Sequence, residues 1–237
     1  MTGAVSGIGL ALVEAFAAER MRIVMADVNE DLLATEAARL REGGAEVHAL
    51  PVDVRNPEAV EDLGRAVVDR FGQLNVAVNN AGVVVTGAAW ELTLDDWHRV
   101  LDINLWGVIH GVRTFVPLIL ASGEEGHVVN TASMAAVYAP ARLGPYAVSK
   151  HGVLALSDVL RADLQADNAP IGVSVVMPGM IRTGMNPVGS ISATTVAVNV
   201  VDAIRRRRPY VFTDHHHEDE VGARFDAIRS ARADVLD

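Results

Sequence analysis

The sequence predicts a doubly wound α/β fold: a mostly parallel sheet, covered by helices on both faces, in one domain. Three observations predict it. Short β-branched runs alternate with longer segments of helical period, the pattern of βαβ units joined by right-handed crossovers. Several of those runs stop at Asn-, Pro- or Gly-containing clusters, such as Asn79-Asn80-Ala81-Gly82 and Pro178-Gly179. No linker, repeat or low-complexity stretch divides the 237 residues, a length that α/β chains commonly fold as one domain.

The elements follow in order. A helix begins near Gly7 and runs to about Glu19, with Ile8, Leu12, Ala15 and Phe16 on one face. Arg22 to Asp27 reads as a buried strand. A charged helix spans Asn29 to Glu42 and is closed by Gly43-Gly44. Val47 to Pro51 is a short strand. Asn56-Pro57 opens the next helix, an N-cap followed by Pro in the first turn. Leu74 to Val78 is a strand, and Thr93 to about Ala121 holds a long helical stretch. Gly126 to Asn130 is a strand, Pro145 to Gln165 a helix, and Ile171 to Met177 a strand. Residues 180–192 read as loop. Thr194 to about Arg206 is a helix, Tyr210 to Thr213 a short strand, and 218–232 a last helix. The glycine-rich segment Thr2–Gly9 should follow a strand, yet only Met1 precedes it.

Composition narrows the function. Half the residues are apolar and 21% are charged, which excludes a disordered chain. A net charge of −10 argues against general nucleic-acid binding. Cysteine is absent, so disulfides, thiolate catalysis and Cys-bound zinc are excluded. No apolar run is read as approaching the roughly 20 residues that span a bilayer. No secretory signal is read at the start, and a cytoplasmic location is expected. His215-His216-His217 reads as a solvated loop rather than a metal site. Arg205 to Arg208 complement a helix C-terminus. Trp90, Trp97 and Trp106 are expected in core or interface packing.

The first chemical motif is Gly3-x-x-x-Gly7-x-Gly9 at a helix start. Glycines there let the backbone approach a pyrophosphate, and the helix N-terminus attracts its charge. Alone, the segment also reads as a simple tight turn. Asp27 ends the next strand, 24 residues after Gly3. A carboxylate there accepts both ribose hydroxyls of NAD and repels the 2′-phosphate of NADP. It reads alternatively as a surface cap for the helix starting near Glu30. No Arg or Lys stands in the turn or just after Asp27, which favours NAD over NADP.

The second motif is Tyr146-x-x-x-Lys150, one turn apart on one helix face. A phenol of pKa near 10 is a poor base at neutral pH. Lowering it by about 3 units takes roughly 4 kcal/mol of phenolate stabilisation. A neighbouring ammonium and a cationic nicotinamide have the right sign. Alone the pair means little. However, Ser133 lies 13 residues earlier, just after a strand, and Asn104 sits inside a helix among Ile103, Leu105 and Trp106. Three strand ends are carboxyl ends, the edge where open α/β sheets bind ligands.

In order and spacing, Thr2–Gly9, Asp27, Asp53-Val54, Asn79–Gly82, Asn104, Ser133, Tyr146-x-x-x-Lys150 and Pro178-Gly179 resemble the short-chain dehydrogenase/reductase family. The likeness is to its compact, Rossmann-like, single-domain form and covers nearly the whole chain. It implies hydride transfer between an alcohol carbon and the nicotinamide C4. It makes Tyr146 the general acid/base, has Lys150 lower its pKa and bind the nicotinamide ribose, and sets Ser133 on the substrate oxygen. Asn104 would hold a water relaying protons from Lys150. Gly3, Ser6, Gly7, Ile8 and Gly9 would line the phosphate turn, and Asp53 and Val54 the adenine. Asn80, Ala81 and Gly82 would run along the cofactor. Pro178, Gly179 and Thr183 would meet the carboxamide. A homotetramer or homodimer is implied, with the 93–121 and 145–165 helices at the interface. The Leu101, Leu105, Val108 and Val112 stripe fits that or plain core burial. A non-catalytic NAD-binding sensor or scaffold is the alternative function.

Two departures stand out. The family's first, central strand would precede Thr2, and the expectation is a start further upstream, with the Met1 codon standing for a valine. The substrate loop, around 180–193, is short. Met134, Val137, Tyr138, Leu143, Met180 and Met185 are the candidate substrate contacts. Most are apolar and suggest a hydrophobic ketone or secondary alcohol.

Overall fold

The computed structural model describes residues 1–233. Helix α1 (Gly7–Ala18) leads from the glycine turn to strand β1 (Ile23–Asp27). Then come α2 (Glu30–Glu42), β2 (Val47–Pro51), α3 (Pro57–Phe71) and β3 (Val76–Asn79). Asn29 and Asn56 cap α2 and α3 by accepting from backbone N–H groups of the first turn, which fixes where each helix begins. Thr93 and Asp96 form a reciprocal capping box at the start of α4 (Leu94–Leu101). A π-turn, Asp102–Trp106, separates α4 from α5 (Gly107–Ser122). The long helical stretch expected here therefore runs through, with a π segment around Asn104. Strand β4 (Gly126–Thr131), α6 (Gly144–Ala166) and β5 (Ile171–Met177) follow. The chain continues with β6 (Ile181–Arg182), β7 (Ile191–Ser192), α7 (Ala193–Arg206), β8 (Tyr210–Phe212) and α8 (Glu218–Ala233).

Strands β3-β4-β5-β8 form one parallel sheet and β1-β2 a parallel pair. Met1 and Thr2 lie between them, where the central strand was missed. The Met1 amino group donates to Val24 O, Ala26 N–H to Met1 O, and Thr2 N–H to Val78 O. Two residues thus carry ladder bonds to both neighbours. Side chains alternate between the two faces. Ile23 and Met25 of β1 point to a core with Leu12, Phe16, Leu33, Val196 and Val200, from α1, α2 and α7. Val24 and Ala26 point to the other, with Val60, Leu63, Phe115, Ile119 and Leu160, from α3, α5 and α6. Helices therefore cover both faces, as a parallel sheet demands. The registers Asn79↔Asn130, Thr131↔Val176 and Met177↔Phe212 align the carboxyl ends of four strands along one edge.

Three expectations need correction. Trp90 and Trp106 are exposed, at 87% and 52%, which removes the core half of the core-or-interface expectation for them and leaves the interface half standing. The 180–192 segment is not plain loop: β6 and β7 pair in parallel, through Ile181↔Ile191 and Arg182↔Ser192. The Leu94–Ser122 stretch is, by length and composition alone, long and apolar enough to cross a bilayer. Its apolar side chains nevertheless serve the fold, since Val108, Phe115, Val116 and Ile119 are buried in the cores.

One buried group sets a pH dependence. His127 is 3% exposed on β4, its Nε2 on Ser174 Oγ, which donates to Arg208 O. Burial first, then the Arg207 charge, pulls its pKa down from 6.5 to about 4. The unfolded chain therefore binds more protons between pH 6.5 and 4, and stability falls as pH drops through that window. The expected loss is roughly 3 kcal/mol by pH 4. Urea melts of wild type and His127→Gln across pH 4 to 7 test it: the variant should lose most of this slope.

Candidate active site

The carboxyl edges of β1, β3, β4 and β5 open into one cavity of about 1080 Å³. At one end lies the glycine turn. Gly3 sits at φ +64, and a Cβ on it would stand 2.8 Å from Ala81 Cα. A Cβ on Gly9 would stand 1.8 Å from Gly3 O, so no side chain fits there. The turn is compact because it must pass its backbone, not its side chains, along the cavity wall. Ser6, Gly7 and Ile8 line the same wall. Ser6 caps α1 in extended backbone without a side-chain capping bond, which leaves the helix N-terminus facing the cavity as an anion site. Gly9→Ala is expected to abolish dinucleotide binding or cooperative folding. Calorimetric titration with NAD beside a urea melt tells which.

Asp27 lines the cavity at the end of β1. Its Oδ2 accepts from Val5 N–H at 3.3 Å and its Oδ1 from Asn29 N–H at 3.1 Å. The capping reading is excluded, because the cap of α2 is Asn29. Two backbone bonds hold the carboxylate and leave it acceptor capacity toward the cavity. Asp53 and Val54 line the same end. The sequence reading missed Arg55, which lines it too. Its guanidinium grips Asp53 through Nη2 at 2.5 Å, and that pairing holds the Asp53 carboxyl below its usual range. The Arg55 cation is thereby matched by an adjacent carboxylate.

Asn80 joins the two halves. Its Nδ2 donates to Gly3 O at 3.1 Å and Thr2 O at 3.3 Å, and its Oδ1 accepts from Thr131 Oγ1 at 3.2 Å. Thr131 O accepts in turn from Lys150 Nζ at 2.8 Å. Ala81 and Gly82 continue along the cavity.

Ser133, Tyr146 and Lys150 converge on the opposite wall. The Lys150 ammonium is buried, lies 5.6 Å from the centre of the Tyr146 ring, and makes its one protein bond to a carbonyl. Desolvation pulls its pKa from 10.5 down to about 8. A buried ammonium with no carboxylate partner costs stability, which marks a functional position. Burial raises the Tyr146 pKa, and a hydrogen bond with Ser133 only partly counters that. The Lys150 charge lies within reach of the ring while its hydrogen bond goes to Thr131 O.

Asn104 is fully buried and is the one predicted catalytic or cofactor residue that does not line the cavity. Its Oδ1 accepts from Val83 N–H at 2.8 Å, while its Nδ2 donates to Val83 O at 2.9 Å and to Ser149 Oγ at 3.2 Å. Ser149 Oγ donates to Tyr146 O at 2.7 Å. These side-chain bonds fix the Val83 backbone and the first turn of α6.

Pro178, Gly179 and Thr183 follow β5 along the cavity. A Cβ on Gly7 would meet Thr183 Cγ2 at 3.1 Å, so the substrate loop starts against the glycine turn. Of the expected substrate contacts, Met134, Tyr138, Leu143, Met180 and Met185 line the cavity. Val137 does not; it is 9% exposed and packs into a core with Val108 and Val153. The solvated-loop reading of His215–His217 also fails in part. His217 lines the cavity and stacks on Tyr138, ring centres 4.6 Å apart. Nothing in a run of three histidines distinguishes the inward one; the turn before α8 does.

A parallel sheet with a bare glycine turn and an acidic residue at the end of β1 is built to hold a nicotinamide dinucleotide. The phenol, hydroxyl and ammonium beyond it make the molecule an oxidoreductase. The chain belongs to the short-chain dehydrogenase family, whose model matches residues 1–190. It is 40% identical, over 96% of its length and 88% of the relative's, to a 1-deoxy-11-beta-hydroxypentalenate dehydrogenase from Streptomyces avermitilis. It is 39% identical to the protein of that name from Streptomyces exfoliatus, covering 96% of this chain and 86% of that one. Among solved structures it is similar to a short-chain dehydrogenase/reductase from Burkholderia phymatum in complex with NAD. That match has 35% identity and a TM-score of 0.95, over 98% of this chain and 93% of the other.

Proposed function

We propose that the protein interconverts an apolar secondary alcohol and its ketone, with NAD preferred over NADP. The observation that carries the reading is the convergence of Asp27, the glycine turn, Ser133, Tyr146 and Lys150 on one cavity. The residues fit a dinucleotide: glycines without room for side chains, an uncapped helix N-terminus for the pyrophosphate, and a held carboxylate for the ribose. When bound, the nicotinamide supplies the hydride chemistry. The chain supplies the rest. Ser133 and Tyr146 hold the substrate oxygen. In the oxidation direction the O–H proton passes to the Tyr146 oxygen; in reduction Tyr146 returns it. Lys150 holds a positive charge within reach of the Tyr146 ring, favouring the phenolate form. Met134, Leu143, Met180 and Met185 favour an apolar substrate. The relatives named as dehydrogenases of a hydroxylated compound support the alcohol class.

Calorimetric titration with NAD and NADP, followed by absorbance of the reduced cofactor over a panel of secondary alcohols, tests the proposal. NAD should bind more tightly, and apolar secondary alcohols should reduce it. Tight NAD binding with no turnover on any alcohol would favour the sensor reading instead. A homotetramer is part of the proposal, supported by exposed Trp106 and Leu120 on the π-turn and α5 and exposed Val148 and Val159 on α6. Light scattering should give four times the 25.2 kDa chain mass, and a monomer at micromolar concentration would contradict it.

A further inference from the structure

The substrate end of the cavity is closed by a segment that the catalytic reading does not use. Gly179 N–H donates to Thr213 Oγ1 at 3.1 Å, and Thr213 Oγ1 to Asp214 Oδ2 at 2.9 Å. Asp214 Oδ1 then takes the backbone N–H of His216 at 2.9 Å. These bonds pin the turn before α8 to the end of β5. At the close of that turn His217 adopts φ +66, a left-handed backbone that strains a non-glycine residue. The strain turns its ring into the cavity, flat against Tyr138 at 4.6 Å and 24°. Its Nδ1 lies 3.3 Å from Glu220 Oε1. A carboxylate only accepts, so Nδ1 carries the proton and Nε2 of the neutral ring is an acceptor. One ring face and one nitrogen are taken, and the polar atom left for the cavity is Nε2.

The surroundings choose the ligand. The charges bearing on the Tyr138 hydroxyl are the carboxylates of Glu220 and Asp214, and they act with burial to raise its pKa. Both carboxylates stand outside the cavity lining, which includes Met134, Leu143, Met180 and Met185 beside Tyr138 and His217. This end suits a hydrogen-bond donor on an otherwise apolar skeleton and opposes an anion. Resting on the alcohol–ketone reading above, we propose that His217 determines specificity by accepting a hydrogen bond from a second hydroxyl group of the substrate, remote from the reacting carbinol. The preferred substrates are then apolar diols or hydroxyketones, and the Glu220 carboxylate behind His217 disfavours hydroxy acids.

The test uses matched probes with wild type, His217→Phe and Glu220→Gln. The probes are cyclohexanol, the 1,3- and 1,4-cyclohexanediols, 4-hydroxycyclohexanecarboxylate, and the corresponding decalin alcohol, diols and hydroxy acid. Wild type should favour at least one diol over its mono-alcohol by about tenfold in kcat/KM, expressed in KM. Phe keeps the stack on Tyr138 but has no acceptor, so His217→Phe should lose that preference and retain mono-alcohol turnover. Glu220→Gln should admit the hydroxy acid about tenfold better than wild type does. A diol preference that survives His217→Phe, or no diol preference in wild type, overturns the proposal. Failure of wild type to oxidise any probe with either cofactor overturns the alcohol reading itself, and this inference with it.

Discussion

Tyr146→Phe is expected to lower kcat by about 10²–10⁴-fold, the range for loss of a positioned general acid/base. The ring lies on the cavity wall between Ser133 and Lys150, and the substitution removes one oxygen without opening a void. NAD affinity and the urea midpoint should therefore stay near wild type, which separates chemistry from folding. The signature is a kcat loss with KM unchanged, read from reduced-cofactor absorbance at saturating NAD. Equal turnover by the variant would remove Tyr146 from the mechanism.

Asp27→Asn is expected to reverse the cofactor preference. The carboxylate is tied to Val5 and Asn29 through backbone N–H groups. An amide replaces the charge at nearly constant shape. A 2′-phosphate near that position meets repulsion of about 4 kcal/mol for unit charges about 4 Å apart at an effective dielectric of 20. Removing it should move the NAD-to-NADP ratio of dissociation constants by about 100-fold or more, allowing for incomplete transfer of that term. Arg55 should not add to the gain, because it remains paired with Asp53. The titration described above measures the ratio directly. An unchanged ratio would place the discrimination elsewhere.

How far the sequence reaches depends on the range of the interaction that fixes each feature. Asn29, Asn56 and Thr93 act within one helical turn, so the starts of α2, α3 and α4 were legible. The strand ends carrying Asn80, Ser133 and Pro178 were legible because the sheet places all its carboxyl ends on one edge. The π-turn at Asp102–Trp106 was not, since it follows from Asn104 reaching the Val83 backbone, 21 residues away. Nor was the placement of Met1 and Thr2 as ladder partners for β1 and β3, which depends on contacts up to 76 residues apart. Arg55 and His217 were missed for a similar reason. Each matters through one partner, Asp53 or Tyr138, whose side of the cavity only the folded chain reveals. Tyr146 shows a different limit. Its spacing from Lys150 announces a pair, but burial decides the direction of its pKa.

Asn80 meets three segments at one point: Thr2 and Gly3 before α1, Thr131 at the end of β4 and, through Thr131, the Lys150 ammonium. In engineering language it is the pin of a truss, and tolerances at a pin are shared by every member that meets there. A shift on the pyrophosphate side is passed toward the ammonium through these bonds, although neither touches the other. Natural variation at this position should therefore be read as a change of alignment for the whole molecule rather than of affinity for one ligand.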